Sequence, residues 1–241
     1  MLHIIFDGDQ AFLLPAPFYI YDDEGIKESV GTIRFTFDIP KDWMKVVPFD
    51  RIDNPGWNDI YAIHKNAFVF GMFDKIMETE AGFRVYVPAG AVHTETSGFK
   101  ELFAYFVDLF ASAPPEYSVV LLPPDNRGER VIGGGDIGLT GDRIIGGAGT
   151  AVTAASFDYN KLRDWQLLSH RMFHAFYDTT APYYNAHVPP NVWLNEGLST
   201  YYENMSMGAL PEHLKSMLGV DVNGRFALIL CWGPAFRRYG I

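Results

Sequence analysis

The sequence predicts an α+β protein, and three observations do so. Strand-like alternation is confined to about the first 95 of the 241 residues, helical spacing takes over at Ser97, and two further helical segments occupy the C-terminal half. The expected division is a β-rich N-terminal domain over residues 1–95 and a mixed, then helical, domain over 96–241.

Each element follows from local pattern. Thr32 to Ile39 alternates apolar with polar and stops at Pro40, as a half-buried strand does, and Gly82 to Val87 ends at Pro88 in the same way. The Phe and Met residues between 66 and 78 read as a buried helical or loop face. Phe99, Leu102, Phe103, Phe106, Leu109 and Phe110 recur at spacings of three and four, the mark of an amphipathic helix, closed by Pro114 and Pro115. Ser118 to Leu122 is a short apolar strand ahead of a glycine-rich stretch, Gly133 to Gly149. A second helix is expected from about Tyr159 to Tyr177, and a third after Pro189 and Pro190, carrying Trp193 to Met207.

Composition narrows the partners. With 48% hydrophobic and 15% aromatic residues the chain can bury a sizeable core, and a folded rather than a disordered chain is expected. Nineteen basic against 29 acidic residues give a formal charge of -10, with no Lys/Arg stripe of the kind phosphate backbones require, so nucleic acid is not an expected partner. No apolar stretch approaches the ~20 residues needed to span a bilayer, and Met1 to Asp7 lacks the basic segment of a secretion signal. A soluble, cytoplasmic protein with no membrane partner is expected; its oligomeric state is not written in the sequence. The single cysteine, Cys231, lies in the apolar run Phe226 to Trp232 and reads as a small core residue.

His170 and His174 stand four residues apart on the second expected helix, which separates them by only about 40° around its axis, so both rings can reach one ion. Zinc takes neutral imidazole nitrogens and a carboxylate oxygen in tetrahedral geometry, with water at the fourth position of catalytic sites. Glu196 offers the carboxylate from the third helix, which an αα-hairpin would lay beside the second. Glu203, seven residues on and so on the same face, is placed to support a histidine ring from behind.

The segment from Trp193 to Glu203, with its pattern W-L-N-E-G-x-x-x-Y-x-E after a proline pair, resembles the second zinc-ligand motif of gluzincin metallopeptidases of the aminopeptidase N and glycyl aminopeptidase type. Their first motif is HExxH, and His170 to His174 looks like a degenerate form of it, HRMFH. Gly8 to Pro15 and Asp38 to Trp43 resemble the N-terminal segments of the glycyl aminopeptidase-like branch. The resemblance implies a β-rich N-terminal domain and a thermolysin-like catalytic domain, with the family's C-terminal helical domain absent or truncated. It also implies Zn2+ held by His170, His174 and Glu196, a peptide or peptide-like ligand, and an edge strand lining the cleft where the glycine-rich stretch lies. Within that stretch Gly134, Gly135 and Asp136 are the candidate substrate-binding residues, Asp136 standing where related enzymes hold a free amine, although a plain Gly-Asp turn is the better account of it.

One departure from the pattern matters most. Arg171 occupies the position of the family's general-base glutamate. A guanidinium stays protonated and has no lone pair to accept a proton. The expected function is therefore a zinc metallopeptidase-like protein of aminopeptidase type with lost or strongly impaired hydrolysis. The alternative is a non-catalytic pseudopeptidase that binds peptides or a protein partner in the retained cleft. A cation beside the ligands also implies weak or moderate zinc binding, relieved if Arg171 pairs with Asp164, Asp178 or Glu203.

Weaker signals are set aside. Gly133 to Gly138 satisfies G-x-G-x-x-G, but the residues that follow are too glycine-rich for the helix a dinucleotide fingerprint must open. His64, His93, His187 and His213 have no partner at ligand spacing.

Overall fold

The computed structural model describes residues 4–7, 10–13, 32–53, 67–92, 95–114, 116–122, 144–145, 152–180 and 192–220. Eleven strands are found among them: β1 Ile4–Asp7, β2 Gln10–Leu13, β3 Thr32–Arg34, β4 Met44–Val46, β5 Arg51–Asp53, β6 Phe68–Gly71, β7 Phe73–Glu78, β8 Phe83–Pro88, β9 Tyr117–Leu122, β10 Ile144–Ile145 and β11 Val152–Ser156. The helices are α1 Ser97–Phe110, α2 Leu162–Thr180, α3 Val192–Met205 and α4 Glu212–Leu218, with a 3-10 turn at Ser206–Ala209. The α+β class expected from the sequence is what is seen.

The N-terminal strands form an antiparallel sheet in the order β1-β2-β6-β4, with β3 and β5 paired separately. Beyond Arg34 the chain leaves its ladder, yet Phe35, Phe37 and Ile39 still turn inward while Thr36 and Asp38 face out. The alternation therefore survives as a packing pattern. Its rings meet Phe49, Phe68 and Phe70, the closest pair being Phe37 and Phe70 with centroids 4.8 Å apart.

Residues 68–78 correct the sequence reading, because they are two strands and not a helical or loop face. The reason is burial on both sides. Phe68 and Phe70 pack into the aromatic cluster, while Val69 packs with Val46, Phe73, Val120 and Val152, so no polar alternation is left to mark β6.

A mixed sheet, β10-β11-β9-β8-β7, forms the centre. Its three middle strands run parallel, with Phe83 opposite Tyr117, Val85 opposite Val119, and Val119 opposite Thr153; the outer pairs are antiparallel. This sheet runs across residue 95, since β7 and β8 precede that position and β9 to β11 follow it. One face packs on the N-terminal sheet through Val46, Ala67, Val69, Phe73, Val120 and Val152. The other presents Phe83, Val85, Val87, Tyr117, Val119 and Leu121 to the helices.

Those helices complete a third layer. Phe99, Leu102, Phe103 and Phe106 form the inner stripe of α1, and Trp165, Leu168, Met172, Ala175 and Phe176 that of α2, all buried in one cluster. Gly98 makes the closest approach possible: a Cβ there would lie 2.5 Å from the Trp165 ring and 2.6 Å from Leu214. The N-terminus of α1 is capped by the residue before its own cap position. Glu95 Oε1 accepts the amides of Ser97 and Gly98 at 2.7 and 3.2 Å, and its other oxygen lies 2.6 Å from His213 Nε2 on α4. Among the described residues no helix is long and apolar enough to cross a membrane.

Candidate metal centre

Two stripes on α2 build the centre. The apolar stripe already described fixes the helix on the core, and a second row, Arg163, Gln166, His170 and His174, repeats at spacings of three and four and faces α3. On α3 the row Glu196, Ser199 and Glu203 answers it at the same spacing. Polar bonds zip the pair together: Gln166 Nε2 donates to Asn204 Oδ1 at 2.9 Å, and the Ser169 and Ser206 hydroxyls lie 2.5 Å apart. Phe173 stacks on Tyr202 at 5.4 Å between centroids, closing the apolar side of the seam.

His170 Nε2 lies 3.2 Å from His174 Nε2 and 3.3 Å from Glu196 Oε2, and His174 Nε2 lies 3.6 Å from Glu196 Oε1. His174 is only 1% exposed, whereas the Glu196 side chain is 42% exposed and opens the group to one side. Burial raises the Glu196 carboxyl, but the hydrogen bonds and charge of His170 and His174 outweigh it and hold the group well below the usual carboxylate range.

Glu203 orients the His170 ring. Its Oε2 is 2.9 Å from His170 Nδ1 and its Oε1 accepts Arg163 at 2.9 Å, on a side chain only 6% exposed. With Nδ1 held by this carboxylate, the ring is turned so that Nε2 faces His174 and Glu196.

The donor set fits a divalent metal. Atoms about 2.0–2.1 Å from a tetrahedral zinc sit about 3.3 Å from one another, and the three separations here bracket that edge. Two imidazole nitrogens and a carboxylate oxygen lie within 4.8 Å of one another, a group that could hold a metal ion. His170, His174 and Glu196 are thus brought together as the sequence places them.

Arg171 lies half-buried one step around α2. Its charge reaches the Tyr117 hydroxyl, where it partly offsets the upward push of complete burial, together with the Thr153 hydroxyl 3.0 Å away. Of the carboxylates considered for it, Glu203 is engaged by Arg163 and His170, and Asp164 accepts the Asp158 amide at 2.8 Å. The side chain of Asp178 lies outside the described residues, as do Gly134, Gly135 and Asp136.

Within the glycine-rich stretch β10 is the sheet's edge strand, antiparallel to β11 with Ile144 opposite Ala155, and it abuts α2. His213 is paired with Glu95 away from the centre, while His64, His93 and His187 fall outside the described residues. Sequence reasoning missed Arg163 and Ser199. Both carried a usable signal, since Arg163 precedes His170 by seven residues and Ser199 lies between Glu196 and Glu203 at helical spacing.

No family model matches the chain, and no curated protein matches it. Among solved structures it is similar to an aminopeptidase N family protein from Idiomarina loihiensis, with a TM-score of 0.59 at 14% identity. The fold is aminopeptidase-like. The match covers 85% of this chain and 38% of that protein, so the chain spans well under half of its neighbour's length. At that identity the likeness speaks for the fold alone, and the metal centre stands on its own geometry.

Proposed function

We propose that the chain is a zinc metallopeptidase-like protein of aminopeptidase type, built on a thermolysin-like zincin domain, whose hydrolytic step is lost or strongly impaired. The observation that carries this reading is the convergence of His170, His174 and Glu196 at 3.2 to 3.6 Å. HRMFH is then a degenerate HExxH motif.

When bound, zinc supplies Lewis-acid polarisation of a peptide carbonyl and a more acidic water. The chain's own residues divide the remaining work. His170, His174 and Glu196 hold the ion, and Glu203 holds the His170 ring by Nδ1 so that Nε2 can bind. Arg171 stands where a proton must be accepted and cannot accept it, which removes about 10² to 10⁴-fold of rate. The edge strand β10 beside α2 would border the substrate groove, with Gly134, Gly135 and Asp136 of the same stretch as its peptide-binding candidates.

Arg171 also favours a second reading for the chain's role: a pseudopeptidase that retains peptides, or a protein partner, without cutting them. Elemental analysis of protein purified without chelator and reconstituted with Zn2+ tests the reading. Up to one zinc per chain with very slow aminoacyl-arylamide cleavage is expected; no zinc after reconstitution would end it.

A further inference from the structure

The outer side of α3 is apolar where a solvated helix carries charge. Its two charged residues, Glu196 and Glu203, are both in the row turned toward α2. At 100° per residue, Leu194, Leu198, Tyr201 and Met205 fall within about 60° of one another on the opposite side of the helix. Leu194, Tyr201 and Met205 are 42, 44 and 40% exposed, and no charged residue shares their arc.

The stripe continues onto α1. Tyr105 lies within electrostatic reach of Tyr201 and Tyr202, and Leu109, one turn on, is exposed. Glu101 and Asp108, a turn to either side of Tyr105, edge the patch with exposed carboxylates. A helix that is apolar on its outer side as well belongs between two layers, and a contiguous apolar patch with a polar rim marks a contact face.

The chain itself holds a segment that matches this face. Val220, the last described residue, packs in the core with Met207 and Leu210, which follow α3 directly. Residues 226–232, Phe-Ala-Leu-Ile-Leu-Cys-Trp, are apolar throughout and begin within about 20 Å of reach from Val220. Arg225 precedes this run, and Arg237 and Arg238 follow it. With three arginines and one acid, Asp221, residues 221–241 carry a net +2 on a chain whose total is -10. A second copy of so acidic a chain would meet the Glu101 and Asp108 rim with like charge, whereas this segment meets it with the opposite one.

We propose that residues 226–232 dock on the outer face of α3 and the adjoining edge of α1, with the flanking arginines toward Glu101 and Asp108. The helix that carries Glu196 is then held from outside by this strap and from inside by α2. The docking does not depend on a metal.

Cys231 lies within the segment and reports its position in the full chain. Met205→Cys puts a second thiol on the stripe, and Lys41→Cys puts one on the N-terminal layer, across the central sheet from α1 and α3. A short bismaleimide is expected to join Met205→Cys to Cys231 within one chain at least about tenfold faster than Lys41→Cys, because docking raises the local concentration of one thiol about the other. Tyr201→Asp, with its circular dichroism unaltered, should raise trypsin cleavage after Arg225 about tenfold, the scale of losing one large apolar contact. Links formed only between chains would give the face to a second copy and overturn the docking. So would no link, equal rates for the two introduced thiols, or tryptic cleavage unchanged in Tyr201→Asp.

Discussion

Glu203 holds His170 by Nδ1 at 2.9 Å while its other oxygen is held by Arg163 at the same distance, so the imidazole is oriented from a surface guanidinium through a buried carboxylate. Removing the middle of that relay frees the ring to rotate. Glu203→Ala is expected to lower Zn2+ affinity about 10 to 100-fold with the helices intact. Chelator competition beside circular dichroism checks it; affinity unchanged in a folded variant would mean that Glu203 serves the helix seam only.

Restoring the missing base is the direct test of the catalytic reading. Arg171→Glu should raise peptide or arylamide cleavage by about 10² to 10⁴-fold in zinc-loaded protein. A zinc-loaded, folded Arg171→Glu protein with no gain in rate would count against the peptidase ancestry.

Gly98 permits the contact between α1 and α2. A methyl group there meets Trp165 and Leu214 well inside van der Waals distance, on atoms wedged in the core. Gly98→Ala should destabilise the fold by about 1–3 kcal/mol despite alanine's better helix propensity. Urea denaturation followed by tryptophan fluorescence would measure it, and a stabilised variant would show that the helices can part cheaply.

Glu95 gives the fold an acid-sensitive tie. Burial raises its carboxyl, but the Ser97 hydroxyl, His213 and the amides of Gly98 and Ser97 outweigh that and leave it below the ordinary value of 4.5. A group with a depressed folded pKa contributes stability above its unfolded pKa, and that contribution is lost as pH falls through the folded value. Glu95→Gln should therefore be less stable than the unaltered chain by about 1 kcal/mol at neutral pH, the usual scale of a lost cap. The gap should close only as pH falls through the depressed folded value of Glu95, where both side chains become neutral. Thermal melts at several pH values decide the point; a constant gap would assign the effect to shape and not charge.

The metal centre was legible because helical spacing is local: His170, His174, Glu196 and Glu203 needed only the 3.6-residue period to fall on facing stripes. The boundaries of α1 were legible for the same reason, from the Phe and Leu spacing and the prolines beyond it. β6 was not, since Phe68 to Gly71 is buried throughout and so has no polar side to show. β11 was missed because Val152 to Ser156 is unremarkable alone and becomes a strand by lying parallel to β9, a partner about 30 residues away. Ser199 went unread although its helical spacing between Glu196 and Glu203 put it on the same stripe, because a serine inside a helix draws no notice by type.

The parallel run β8-β9-β11 has a kinetic consequence. Each pairing closes a long stretch of chain, and α2 packs its apolar stripe on the sheet that those pairings build. On the proposed function, an ion taken up between α2 and α3 should act on the folded protein as a latch, not a nucleus. Stopped-flow refolding should run at the same speed with Zn2+ or with chelator, while unfolding should slow when Zn2+ is present; an accelerated refolding phase with Zn2+ would place the ion at the start of assembly instead.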